Sequence, residues 1–189
     1  ACEDTEMKLS PERPLYVGID MALRHDSVAV VYGQKDENDI IYTQAKIWLP
    51  KDENFMDYQE IEAFVVSLMK QYKVQEVAYD PAFFERSAQV LLDRGVPMVN
   101  FPQTHSRMIP ACGNAYDLIA NTKVRHNGDP TFTDQVMSAE QRTTDMGWRL
   151  SKGRSKRKID GAIAMVIMLD RITAPDPLDD EPEVAIINL

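Results

Sequence analysis

Three aspartates stand at the ends of apolar segments, and their placement is the first chemical signal in the chain. Asp20 closes Pro14-Leu15-Tyr16-Val17-Gly18-Ile19, Asp80 follows Val77-Ala78-Tyr79 and precedes Pro81, and Asp160 opens the apolar run that ends near Ile172. Three convergent carboxylates repel one another unless divalent cations sit among them, and oxygen-only ligands select Mg²⁺ or Mn²⁺. Two such ions roughly 4 Å apart can clamp the attacking and leaving oxygens of an in-line phosphodiester displacement. Each acid also has a plainer reading. Asp20 could be a solvated turn residue. Asp80 before Pro81 has the form of a helix N-cap with proline at the first helical position. Asp160 could pair with a nearby base or complement a helix N-terminus. Yet Asp160 shares a helical stripe with Ile163, Ala164 and Ile167, and an unpaired carboxylate on an apolar face is prohibitively costly to bury.

Basic residues lie beside the third acid. Arg149, Lys152, Arg154, Lys156, Arg157 and Lys158 form a run without an acid among them, suited to phosphate contacts that ignore base identity. Arg149, Lys152, Arg154, Lys156 and Arg157 are expected to face a nucleic-acid backbone or to form a solvated face. Lys158 could steady the charge of a phosphorane. His25 and Asp26 are candidates for a phosphate-facing or supporting role near Asp20, or ordinary turn residues.

Hydrophobic periodicity supplies the elements that must position these groups. Residues 14–20 and 27–33 read as a hairpin of two strands, and 40–48 as a third. From Asp57 the period becomes helical through Ile61, Phe64, Val65, Leu68, Met69 and Tyr72, with Asp57 and Glu60 spaced as a capping box. A strand over 74–79 follows. The next helix turns Phe84, Ala88, Leu91 and Leu92 inward and stops at Gly95. Residues 96–101 read as another strand. A stripe through Met108, Ala111, Cys112, Ala115, Leu118 and Ile119 marks a helix whose start Pro110 obscures. Residues 159–172 close the body as a strongly apolar helix. Three consecutive strands followed by alternating helices and strands predict an α/β fold, a mixed sheet of about five or more strands with helices on both faces. In such a sheet, adjacent first and fourth strands would bring Asp20 and Asp80 to neighbouring ends.

The composition is that of a globular chain: 189 residues, 44% hydrophobic, 27% charged, with 8 Gly and 11 Pro. This excludes collagen-like and wholly disordered classes. No apolar run reaches the roughly 20 residues of a membrane span, and no signal peptide is evident. Cys2 and Cys112 make neither a disulfide framework nor zinc spacing with His25, His105 and His126, so a reducing compartment is expected. The net charge of −9 is concentrated at the ends, leaving about −1 for residues 13–173; it does not exclude a nucleic-acid partner. Three regions are expected: a flexible acidic segment over 1–13, a domain over 14–173, and an acidic Pro-containing tail over 174–189. A first residue of alanine suggests a processed product or an excised domain.

The hairpin Gly18-Ile19-Asp20 with Asp26-Ser27-Val28-Ala29-Val30, the strand end Val77-Ala78-Tyr79-Asp80, Lys158-Ile159-Asp160-Gly161-Ala162-Ile163-Ala164, and the loop Arg125-His126-Asn127-Gly128-Asp129-Pro130 resemble the nuclease domain of tailed-bacteriophage terminase large subunits. The resemblance covers about residues 14–172, and the segment around Asp160 is its most specific part. It implies a ribonuclease H-like fold and an endonuclease that cuts concatemeric viral double-stranded DNA during genome packaging with two divalent metal ions, Mg or Mn. Asp20, Asp80 and Asp160 match the family's metal-binding acids. The family's ATPase half has no counterpart here, since no Gly-x-x-x-x-Gly-Lys-Ser/Thr loop occurs. The implied partners are double-stranded DNA, that ATPase domain, the portal protein and a small terminase subunit. The implied setting is the host cytoplasm at the procapsid, without secretion, for a domain expected to be monomeric.

Other readings use the same residues differently. A junction resolvase, a transposase or another ribonuclease H-like nuclease would employ the same acids. An actin-like or sugar-kinase ATPase also opens with Gly-Ile-Asp, but the few glycines and the lack of a second such hairpin speak against phosphate-cradling turns. A non-catalytic DNA-binding or docking module would use the acids as caps.

Overall fold

The computed structural model describes residues 2–21, 27–49, 56–151 and 157–174. Strands β1 (Pro14–Met21), β2 (Val28–Lys35) and β3 (Ile41–Trp48) form an antiparallel meander. Helix α1 (Tyr58–Gln71) leads to β4 (Lys73–Tyr79), α2 (Pro81–Leu92), β5 (Met98–Asn100) and α3 (His105–Ala120). Then come β6 (Val124–His126), α4 (Pro130–Met137), the hairpin β7 (Glu140–Thr144) and β8 (Gly147–Ser151), and α5 (Asp160–Ile172). The six-stranded sheet has the order β5-β4-β1-β2-β3-β6, and β7-β8 is separate. Strands β1 and β4 are neighbours, the condition under which Asp20 and Asp80 would come to adjacent strand ends; they run parallel, with Ile19 opposite Tyr79.

Alternation along the central strands sorts residues onto two faces. Leu15, Val17, Ile19 and Met21 join Val28, Val30, Val77 and Tyr79 in one core, closed by Ile61, Val65 and Leu68 of α1 and Phe84, Ala88 and Leu91 of α2. Ala29, Val31 and Ala78 face the other core, which contains α5 and the inner sides of α3 and α4. Asp20 is two residues beyond Gly18, and Asp80 two beyond Ala78, so strand periodicity assigns both acids to the α5 side.

Helix α5 explains itself by composition. Eleven of its residues are buried, from Asp160 to Ile172, as expected of a helix that is apolar all round and enclosed by other elements. Its C-terminal end is pinned to β4: Arg171 makes two hydrogen bonds to Glu76, 2.6 and 2.9 Å long. Those bonds hold the guanidinium above its ordinary pKa against the opposing effect of burial. Glu76→Gln is expected to cost about 2 kcal/mol of stability, the scale of a hydrogen bond to a charged group. Urea denaturation measures it, and an unchanged midpoint would show the pair to be idle.

Several local expectations need correction. Leu92 is 44% exposed; it lies at the last turn of α2, and Ser87 takes the inward position beside Phe84, Ala88 and Leu91. The fifth strand covers only 98–100, because its edge pairing involves Val77 to Tyr79 alone. Helix α3 begins five residues before Pro110, which is tolerated because Ser106, whose carbonyl loses its donor, is exposed. Elements β6, α4 and β7-β8 have no counterpart among the elements that periodicity predicts. Asp57 does cap α1, accepting from the Gln59 and Glu60 amides, while the Glu60 carboxylate accepts from Trp48 Nε1.

The acidic N-terminal segment has fixed partners. The Asp4 amide donates to the His126 carbonyl, the His126 amide donates to the Cys2 carbonyl, and Met7 is buried. Residues 175–189, nearly all of the expected acidic tail, lie outside the described residues.

Candidate active site

Strand β1 carries Asp20 to within one residue of its end, and α5 presents Asp160 at its first position. They are buried, at 7% and 2% exposure. Both line one cleft of about 230 Å³, together with Phe83, Gln103, Met108 and Arg149. The cleft exists because α5 lies directly on β1: a Cβ placed on Gly18 would stand 2.2 Å from the Ala164 carbonyl oxygen. Glycine at that point lets the helix approach closely enough for its N-terminus to overhang the strand end.

Each acid in the cleft is held by a neutral donor. Gln103 Nε2, from the loop between β5 and α3, donates to Asp20 Oδ1 at 2.5 Å. The Ser27 hydroxyl donates to Asp160 Oδ2. Ser27 in turn accepts from Gln135 Nε2 of α4 at 3.2 Å, and the Gly161 amide donates to Gln135 Oε1 at 2.6 Å. Sequence alone assigns no role to Gln103, Ser27 or Gln135. Ser27 stands inside the hairpin motif; the two glutamines carry no sequence signal.

Asp80 is placed differently. It is buried at the N-cap of α2, and its Oδ1 accepts from the Ala82 amide at 3.0 Å, with Pro81 in the first turn. The capping reading of Asp-Pro is therefore realised in the structure. Oδ2 has no hydrogen-bond partner among the described residues, so capping uses only half of the carboxylate. Asp80 follows Tyr79, whose strand partner is Ile19, which sets it beside Asp20 in sequence register, but it does not line the cleft. Among the described residues, no three His, Cys, Asp or Glu side chains stand together closely enough to hold a metal ion. What the fold brings together is the pair Asp20 and Asp160.

Among the described residues, Arg149 of β8 is the cation in the cleft lining. Its Nε is buried and has no hydrogen-bond partner among the described residues. Neighbouring Cys112 is not an anion for it. Burial pushes that thiol's pKa up, against the smaller downward effects of the Leu150 backbone and Arg149 itself. Arg157 is exposed and lies 3.5 Å from Asp134. Lys158 is half-buried, two residues before Asp160. His25, Asp26, Lys152, Arg154 and Lys156 lie outside the described residues.

The mixed sheet flanked by helices, with buried acids at a strand end and at the start of the last helix, has the ribonuclease H-like fold that the resemblance implies. The family model for the terminase large subunit endonuclease domain matches residues 51–176, and the chain belongs to that family. The large terminase subunit of Enterobacteria phage HK97 is 23% identical over 192 residues, covering 86% of this chain and 38% of that protein. The crystal structure of the HK97 large terminase superposes with a TM-score of 0.79 at 21% identity, over 88% of this chain and 41% of that one. The large terminase nuclease from thermophilic phage G20c gives a TM-score of 0.68 at 16% identity, over 86% and 84% of the two chains. That nuclease is also known with magnesium, cobalt and zinc bound. The present chain spans about two fifths of the HK97 protein's length.

Proposed function

We propose that this chain is a metal-dependent endonuclease that cleaves concatemeric viral double-stranded DNA during genome packaging. The observation that carries the reading is the cleft itself. Two buried carboxylates and a guanidinium with an unpartnered Nε line one small space in a chain of the terminase nuclease family.

The donor set fits hard divalent cations, because Asp20 and Asp160 offer only oxygen. They would hold Mg²⁺ or Mn²⁺, and Asp80, through the carboxylate oxygen not used in capping, would complete a two-ion site. Bound there, the ions would supply an activated water and neutralise charge on the phosphate. The chain's own residues do the rest. Arg149 presents donors toward a phosphate entering the cleft, a planar fork suited to two phosphate oxygens. Lys158 adds positive charge beside the reacting phosphorus, and Arg157 and the neighbouring bases at 152, 154 and 156 follow the DNA backbone without reading bases. The buried acids keep their positions through Gln103 and Ser27, so they need little reorganisation when substrate arrives.

In this reading residues 14–173 form the nuclease domain, flanked by segments 1–13 and 174–189. Its partners are double-stranded DNA, a terminase ATPase domain, the portal and a small terminase subunit, acting in the host cytoplasm.

Supercoiled plasmid incubated with the chain in Mg²⁺, Mn²⁺ or EDTA tests the proposal. Nicked and linear products are expected with either metal and none with EDTA. DNA retention on a gel without cleavage in any of the three would identify a docking module instead. Exchanging Arg149 for methionine is expected to lower cleavage about a hundredfold, the scale of losing one preorganised charge-stabilising donor. Single-turnover rates at saturating DNA measure it, and a wild-type rate would move Arg149 out of the reaction.

A further inference from the structure

We propose that Ser27 and Gln135 form a positioning relay that orients the Asp160 carboxylate for divalent cations. The inference rests on the metal-dependent reading above and deepens it, extending the support of Asp160 from Ser27 to Gln135 and giving both residues a role in cation binding.

The hydrogen-bond directions along the relay are forced by chemistry. A backbone amide can only donate, so the Gly161 N–H fixes Gln135 Oε1 as the acceptor and leaves Nε2 facing Ser27. An amide nitrogen also only donates. Ser27 Oγ therefore accepts from Gln135, and its own hydrogen is committed to the carboxylate, which accepts through Oδ2. The donor sequence runs from the α5 backbone through α4 and the start of β2, and returns to the residue preceding Gly161. All three side chains are buried, at 3% for Gln135, 0% for Ser27 and 2% for Asp160, so water does not compete for these bonds.

This loop does two jobs with one glutamine. Helix α5 has no side-chain cap from Ile159, and Gln135 satisfies the Gly161 amide from a different helix. The fit is close: a Cβ on Gly161 would lie 3.0 Å from Gln135 Oε1 and 3.2 Å from Ile47 and Phe132, so those side chains would have to give by a few tenths of an ångström. At its other end the relay restrains rotation of the Asp160 carboxylate. A ligand already ordered gives up less freedom when a cation binds.

The test uses the full chain and MnCl₂ alone, by titration calorimetry without DNA, with plasmid cleavage measured across a Mn²⁺ series. Ser27→Ala and Gln135→Met are each expected to weaken Mn²⁺ binding about 10- to 100-fold, the usual effect of losing a hydrogen-bond partner behind a metal ligand. Their cleavage should recover as Mn²⁺ is raised, whereas that of Asp160→Asn should not. Thr43→Val is the control: it removes a hydroxyl bond from a buried side chain to the Arg125 carbonyl, in which no relay residue takes part, and should leave Mn²⁺ affinity unchanged. Should Gln135→Met fail to fold, Ser27→Ala alone decides. Wild-type Mn²⁺ affinity in a folded Ser27→Ala variant would overturn the relay and leave the nuclease reading intact. Absence of Mn²⁺ binding and cleavage in the wild-type chain would overturn both.

Discussion

Asp160→Asn is expected to reduce plasmid cleavage by more than about a hundredfold, beyond the loss typical of residues that merely support a metal ligand. The substitution preserves shape and leaves an oxygen for the Ser27 hydroxyl, so the relay and the start of α5 survive. It removes the negative charge that a divalent cation requires. Stability should change little, because the amide keeps the shape of the buried carboxylate and an acceptor for the Ser27 hydroxyl. Loss of cleavage with a nearly unchanged melting temperature separates a functional acid from a structural one. A variant that cuts at the wild-type rate would remove Asp160 from the reaction and leave its burial as a feature of helix placement. The same comparison on Asp80 has a different expected shape. Asp80→Ala should also lose cleavage, but at a cost of about 1 kcal/mol in stability, because the N-cap contact to the Ala82 amide is lost as well.

Gly18→Ala is expected to be the most damaging single change outside the acids. The added Cβ would meet the Ala164 carbonyl oxygen at 2.2 Å, the Met168 amide nitrogen at 2.7 Å and Met168 Cβ at 3.1 Å. The two closest atoms are backbone, so no side-chain rotation relieves the clash, and α5 must move off β1. Overpacking of this kind should cost about 3 kcal/mol or more. Cleavage should fall too, since β1 carries Asp20 and α5 carries Asp160. Gly113→Ala provides the contrast. Gly113 lies inside α3, and a Cβ added there would have nothing within 4 Å, so alanine should stabilise by up to about 1 kcal/mol through helix propensity. Urea denaturation of the two variants reads both effects. Wild-type stability in Gly18→Ala would mean that the helix and strand are farther apart than described.

These two predictions also divide what is local from what is not. The three acids stand out because each interrupts an apolar pattern at the end of an element, and that contrast lies within a few residues of chain. The first three strands, α1, β4, α2 and α5 are legible for the same reason: their buried faces repeat at two or about 3.6 residues. The adjacency of β1 and β4 comes from the sheet order, which the run of elements along the chain does not fix. Strand β6 escapes because three residues carry no period, and β7-β8 because its residues are half-exposed or exposed, without a buried face to alternate.

Tertiary structure alone decides how the acids are used. Asp20 and Asp160 share a cleft and Asp80 turns one oxygen to a helix end, a difference of side-chain direction that spacing does not encode. Gln103, Ser27 and Gln135 are neutral polar residues, common on any surface. Their meaning comes from partners 83, 133 and 108 positions away: Gln103 on Asp20, Ser27 on Asp160 and Gln135 on Ser27. A hydrophobic face announces itself because burial acts on every turn or alternate residue of one segment. A hydrogen bond between distant segments involves one residue from each, and only the packing of α4 and α5 against the sheet brings those atoms together.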